Sequence, residues 1–171
     1  MTAGGKFILN LRSERLWKMI LANYDTIAYI KGGDEYPDIM GTVGFKGTAD
    51  GTWVDVDVKG LPKFSEATEE RGQIGPHGFH IHERACGGGD FSAAGNHYDR
   101  GGNPHGNHTG DLPALFSSGG RAQMLFFTDK FKPEELTGKS VVIHLSPDDY
   151  MTQPAGGSGD RIACGTIENA M

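Results

Sequence analysis

The sequence predicts an all-β domain, a sandwich or barrel of about eight strands. Two observations carry this. The 171 residues include 27 glycines and 37% hydrophobic residues. After the first two dozen positions no sustained 3.6-residue apolar period appears, and short alternating stretches are divided by turn-forming residues instead. A chain of this length is about one domain, able to bury roughly two thirds of its unfolded surface in a single core.

Taken in order, residues 6–22 carry Phe7, Ile8, Leu11, Leu16, Trp17, Ile20 and Leu21 among charges, a pattern compatible with one amphipathic helix. Residues 1–24 are therefore read as an N-terminal extension packing on a domain that occupies 25–171. Strands are expected from Thr26 to Ile30, Thr42 to Thr48 and Trp53 to Val58. Pro37 to Gly41 forms a turn, and Asp50-Gly51 is a hairpin signal between the second and third strands. Pro62 to Gln73 has loop composition, and Ile74 to His82 returns to a strand. Residues 83–119 hold many Gly, Asn and Asp and no convincing element, longer than an ordinary loop. Arg121 to Thr128 and Ser140 to His144 read as strands separated by one helical turn at Pro133-Glu134-Glu135-Leu136. A second long loop, Leu145 to Asp160, leads into a last strand from Ile162 to Ile167.

Net charge is −6. No Lys/Arg run with interleaved aromatics is present, which argues against a nucleic-acid partner. No stretch approaches a membrane span, and Arg12, Glu14, Arg15 and Lys18 interrupt any signal-peptide core. The expected location is the cytoplasm, with export left open.

Six of the seven histidines, with one aspartate, fall where metal ligands are expected. In a strand His80 and His82 share one side while Phe79 and Ile81 face the core, so two imidazoles point outward and can reach one ion without completing its shell. His144, ending another strand, is a candidate third ligand. His97, His105, His108 and Asp111 lie within the long loop. Three imidazoles and a carboxylate make a closed four-coordinate set of the structural-zinc type, and such a site would order a loop that lacks a ladder. The thiolate-free, imidazole-rich strand site suits copper. His77 falls on the opposite side of its strand from His80 and is read as structural.

At these residues the chain resembles the copper/zinc superoxide dismutase family, bacterial type, from about Asp25 to the end. The resemblance rests on His77-Gly78-Phe79-His80-Ile81-His82, Ser92-Ala93-Ala94-Gly95-Asn96-His97, His108-Thr109-Gly110-Asp111-Leu112-Pro113, and Gln153-Pro154 through Gly159-Asp160-Arg161-Ile162-Ala163-Cys164-Gly165. It implies a Greek-key β-sandwich or barrel with a long zinc loop and a second loop over the copper site. It also implies copper on His80, His82, His97 and His144, zinc on His97, His105, His108 and Asp111, and His97 as the bridge. Asp148 matches a carboxylate linking a copper histidine to a zinc histidine, here His80 and His105, and Cys86 and Cys164 match the family disulfide.

The implied activity is dismutation of superoxide, with His97 and Arg161 as catalytic residues, Arg161 guiding and docking the anion. A homodimer is left open. The loop from Leu145 to Asp160 contains no lysine, so the basic residues that guide substrate in some members have no counterpart there; Arg84 and Arg100 are candidate substitutes, or plain surface charges. The competing readings are a non-catalytic copper/zinc-binding module on the same scaffold and an interaction domain that uses residues 1–24.

Overall fold

Alternation in an extended chain sends successive side chains to opposite faces, and here it builds most of the core. The computed structural model describes residues 23–171, so the helix read over residues 6–22 lies outside the described residues. Seven strands form one antiparallel sheet: β1 (Thr26–Gly32), β2 (Met40–Gly47), β3 (Thr52–Lys59), β4 (Phe79–His82), β5 (Arg121–Thr128), β6 (Ser140–His144) and β7 (Arg161–Asn169). Their spatial order is β4-β6-β7-β1-β2-β3-β5. In β3 the alternation is complete: Val54, Val56 and Val58 are buried while Trp53, Asp55 and Asp57 lie on the other face. Val43, Phe45, Ala28, Ile30, Phe79, Ile81, Val141 and Ile143 meet them in the principal core.

β1, β2 and β3 form a meander. The β2–β3 turn is closed where the Thr48 amide donates to the Gly51 carbonyl at 2.8 Å, as the Asp50-Gly51 signal predicts. The chain then crosses from β3 to the opposite edge of the sheet at β4 and returns to lie beside β3 as β5. These long crossings are the Greek-key element of the topology.

The count of about eight strands resolves into seven strands and a run of isolated bridges. Residues 111–118 follow the free edge of β4 through His80↔Asp111 and His77↔Leu115, then turn into β5 through Ser118↔Arg121. Pro113 has no amide hydrogen to give, so no continuous ladder forms. β4 also begins at Phe79, later than the expected Ile74. Gly75 adopts φ +59, outside the β region, and Pro76 again lacks a donor. The helical turn expected near Pro133 is a 3₁₀ turn over Pro133–Glu135, and a second one, Ser92–Ala94, interrupts the long loop.

β4 and β6 are buried on both faces. The inner face joins the principal core. The outer face lies under residues 83–111, where Phe91 and Ala94 pack with Val142 and Cys164, and partly buried Cys86 joins them. The Cys86–Cys164 disulfide ties this covering loop to β7 across 78 residues of sequence.

Closing a loop of that length restricts the unfolded chain most. Replacing both cysteines with serine is expected to lower folding stability by roughly 3 to 4.7 kcal/mol in the chain-entropy account. A urea midpoint unchanged from that of the oxidised parent would refute this.

Candidate metal centre

The site is assembled by register. β4 pairs β6 with Phe79 opposite Ile143, and the His144 amide donates to the Gly78 carbonyl at 2.8 Å, which sets His144 beside the start of β4. The isolated bridge His82↔His97 draws the long loop over the outer face. His80 and His82 do point away from the barrel interior, as the alternation predicts, but both are fully buried because that loop covers them. Alternation decides the side a residue faces, not what lies on top of it.

Two groups of donor atoms result, His80, His82, His97 and His144 in one, and His97, His105, His108 and Asp111 in the other. Within each, the candidate ligand atoms all lie within 4.8 Å of one another. His97 belongs to both. Its Nδ1 lies 2.9 Å from Asp111 Oδ1, while its Nε2 is buried without a hydrogen-bond partner and its ring stacks on His80 with centroids 3.9 Å apart.

Within the two groups the unpartnered nitrogens mark where ions fit, while His77 Nε2, also unpartnered, belongs to neither. His80 Nδ1, His97 Nε2, His105 Nδ1 and His108 Nδ1 are buried with no hydrogen-bond partner, an arrangement that costs free energy unless something electrophilic sits between them. His105 Nδ1 and His108 Nδ1 each lie 3.3 Å from Asp111 Oδ1 without hydrogen-bond geometry, as ligands around a shared cation would. The Nε2 atoms of His82 and His144 face one another at 3.4 Å. The donor sets fit the chemistry of the two metals: four imidazoles for copper, three imidazoles and one carboxylate for zinc.

The opposite ring nitrogens are held by the protein. His80 Nε2 and His105 Nε2 lie 2.7 and 2.8 Å from the two oxygens of Asp148. His82 Nδ1 is 3.0 Å from the Gly95 carbonyl and His144 Nδ1 is 3.1 Å from that of Gly159. Such contacts fix ring orientation and leave the other nitrogen's lone pair for a metal. A Cβ on Gly156, at φ +66, would fall 1.8 Å from Asp148 Oδ1 and 2.5 Å from His105 Nε2, so only glycine permits this link. His77 is structural: its Nδ1 lies 2.9 Å from the His144 carbonyl and 3.1 Å from that of Leu145.

Further contacts that residue spacing does not reveal support the site. Asp111 Oδ2 accepts from the amides of Gly106 at 2.8 Å and His108 at 3.0 Å. Lys130 Nζ donates to the carbonyls of His108 at 2.9 Å and Asp111 at 3.3 Å. Asp99 accepts from the amides of Gly101, Asn103 and Thr109. The Gln153 side chain grips the His105 backbone.

Arg161 opens β7 beside this loop. Its Nη1 donates to the carbonyls of Phe91 at 2.8 Å and Ser92 at 3.4 Å, and its Nη2 to that of Gly95 at 2.7 Å. Among the described residues no carboxylate lies within ion-pair distance of it. The two other candidate guides are engaged with carboxylates, Arg84 with Glu83 at 3.1 Å and Arg100 with Glu135 at 2.8 Å.

Burial dominates the electrostatics of the strand site. It lowers the pKa of His80 from its ordinary value to about 4 and that of His144 to about 3, and it lowers His82 as well, so these rings are neutral and able to donate. Burial alone would raise Asp148, but hydrogen bonds from His80, His105 and the Tyr150 amide outweigh it and bring the pKa to about 2. Asp111 is likewise held well below the usual carboxylate range, because the His97 hydrogen bond and the electrostatic interaction with the neighbouring His105 and His108 rings outweigh its burial.

The chain is similar to known proteins of one family. The family model described as copper/zinc superoxide dismutase (SODC) matches residues 39–167. A "Superoxide dismutase [Cu-Zn]" of Deinococcus radiodurans is 36% identical over 157 residues, covering 79% of this chain and 80% of the relative. Another, of Legionella pneumophila, is 38% identical over 141 residues, covering 77% and 80%. Among solved structures, a double mutant of a SOD-like protein from Bacillus subtilis, with a tyrosine and a proline each replaced by histidine, superposes with a TM-score of 0.69. It is 26% identical, and the match covers 84% of this chain and 97% of that one.

The buried neutral histidines carry a pH dependence for the metal-stripped chain. Their folded pKa values lie below the ordinary 6.5, so on acidification the unfolded chain takes up protons that the folded chain refuses. Their contribution is present above about pH 6.5 and lost as pH falls toward about 4 and below. Denaturant midpoints of the metal-free protein are expected to drop across this window; a flat profile would mean that these rings are not buried neutral.

Proposed function

The chain belongs to the copper/zinc superoxide dismutase family, and we propose that it dismutates superoxide at a copper held by His80, His82, His97 and His144, with His97 bridging to a zinc held also by His105, His108 and Asp111. The observation that carries this reading is the single ring, His97, shared by both groups of candidate ligands, with its Nδ1 2.9 Å from Asp111 Oδ1 and its Nε2 buried without a hydrogen-bond partner. When bound, copper supplies a one-electron couple that oxidises one superoxide and reduces another, and zinc supplies a fixed positive charge without redox. Two superoxide anions and two protons thereby yield one oxygen and one hydrogen peroxide.

The protein's own part in this is positional. Asp148 orients His80 and His105 together, so that one carboxylate sets a ring on each side of the bridge. The Gly95 and Gly159 carbonyls orient His82 and His144. His97 Nε2 is the ring atom able to carry a proton toward the forming peroxide while Nδ1 stays committed to the zinc side. Arg161 presents a guanidinium fixed by main-chain carbonyls and docks the anion. The assembly of His80, His82, His97 and His144 into one group supports the catalytic reading, and a metal-binding module on the same scaffold is its alternative.

The test is superoxide dismutation by the purified protein with copper and zinc quantified in the same sample. Activity at full occupancy of both metals is expected. Full occupancy without activity would make the chain a metal-binding module.

Arg161→Ala is expected to lower the second-order rate about 10-fold, toward the lower end of the steering effects of about 10 to 10³, while both metals stay bound. The loss should shrink as ionic strength rises, because salt screens the interaction being removed. Loss of copper in this variant would contradict the docking role.

A further inference from the structure

We propose that Gln153 is a positioning residue that couples zinc binding in the long loop to closure of the 149–157 segment beside His144. This inference rests on the assignment of His97, His105, His108 and Asp111 to zinc.

A side-chain amide offers one strong acceptor and two donors, and all three are used here. Gln153 Oε1 accepts from the His105 amide at 2.9 Å, and Gln153 Nε2 donates to the His105 carbonyl at 3.3 Å and to the Met151 carbonyl at 3.1 Å. One side chain therefore takes both main-chain polar groups of a single zinc ligand, a two-point grip of the kind a neighbouring strand would provide. Among the described residues no regular strand pairs with His105. The ring of the same residue is held by Asp148, four positions after His144, at 2.8 Å. Backbone and ring are thus gripped from one segment, which leaves Nδ1 directed at Asp111 Oδ1.

The segment that presents Gln153 is braced on its own account. The Asp149 carboxylate accepts from the amides of Met151 and Thr152, each at 2.8 Å. The Gly156 amide donates to the Thr152 carbonyl at 2.7 Å, and the Asp149 amide to the Gly156 carbonyl at 3.0 Å. The same turn, with Thr152, Gln153, Pro154, Ala155, Gly157 and Ser158, walls a pocket against His144. On the other side Gly106 packs so closely on Tyr150 that a Cβ would fall 2.1 Å from its carbonyl oxygen. A metal that fixes His105 therefore fixes the partner to which this turn is fastened, and a turn held in place favours the ligating geometry of His105 in return. The coupling is reciprocal by thermodynamic necessity.

The experiment uses the full chain with its disulfide intact and copper absent. Zinc affinity is measured by competition with a chromophoric chelator, and amide hydrogen exchange is followed across residues 149–157 with and without zinc. In the parent chain, zinc is expected to slow exchange in this segment. Gln153→Met, which keeps the length but not the hydrogen bonds, should weaken zinc binding about 10-fold, the lower end of what removing such outer contacts costs, and should abolish the zinc-dependent protection. Lys130→Met removes contacts to His108 and Asp111 from the opposite side. It should weaken zinc but leave the protection of 149–157 zinc-dependent, which separates coupling from general loosening. Should Gln153→Met fail to fold, absence of zinc-dependent protection in the parent chain would by itself overturn the proposal. Gln153→Met with zinc affinity within about twofold of the parent and protection retained would overturn it equally. Zinc binding by the parent that is insensitive to His105→Ala would instead bring down the zinc assignment on which the proposal stands.

Discussion

A buried neutral imidazole has one N–H to give and one lone pair to fill, and most of this structure follows from satisfying that demand away from water. His80, His82, His105 and His144 each give one nitrogen to a protein acceptor: an oxygen of Asp148 for two of them, the Gly95 and Gly159 carbonyls for the others. The remaining nitrogens converge, and that convergence rather than any single ligand defines the two centres. His97 differs because neither of its nitrogens turns toward an acceptor outside the two ligand groups. It meets Asp111 on one side and the strand histidines on the other. On the proposed bridging role His97 depends on neighbours that are already oriented, so the Asp148 link between His80 and His105 bears on it although Asp148 is not its hydrogen-bond partner.

The second demand is entropic. Ordering each residue of a loop costs about 1–2 kcal/mol of backbone entropy, and residues 83–118 have no continuous ladder to offset it. What the loop has instead is a set of separate attachments: the disulfide to β7, the Phe91 and Ala94 contacts, the Arg161 grip on three carbonyls, and the Asp99 turn. The metal cluster adds to these. Each attachment ends on β4, β6 or β7 or on the loop itself, so the loop is fastened to the edge of the sheet that carries His80, His82 and His144. The fold and the centre are not independent layers, since the same contacts serve both.

This explains which parts were legible from residue order. Periodicity placed β1–β3 and β5–β7 because those strands have one face in the principal core. It also placed His80 and His82 on a common side. It could not show that this side would be buried, because burial there comes from a loop with no period of its own. For the same reason the contacts of Gln153, Lys130 and Asp99 carried no periodic signal, although Gln153-Pro154 stands in the motif that carries the resemblance: their partners are main-chain groups of the loop, and nothing in the spacing of residues reveals a carbonyl. Each of the seven strands named from the sequence is present in the sheet, and the chain beside β4 pairs only at isolated points around Pro113. The choice between Nδ1 and Nε2 at each histidine was likewise unreadable, being set by acceptors such as Asp148 that are distant in sequence.

The remaining problem is how a chain of net charge −6 serves an anionic substrate. Arg84 is paired with Glu83 and Arg100 with Glu135, while Lys130 donates to main-chain carbonyls. Arg161 likewise has main-chain partners. It is held by three main-chain carbonyls, which fix its geometry without a hydrogen-bonded carboxylate, and Asp90 acts on it through its charge alone. One of those carbonyls, that of Gly95, also accepts from His82 Nδ1. A single oxygen thereby ties the orientation of His82 to the position of the guanidinium, so that, on the proposed docking role, the loop turn at residue 95 sets the anion site relative to the four-imidazole group.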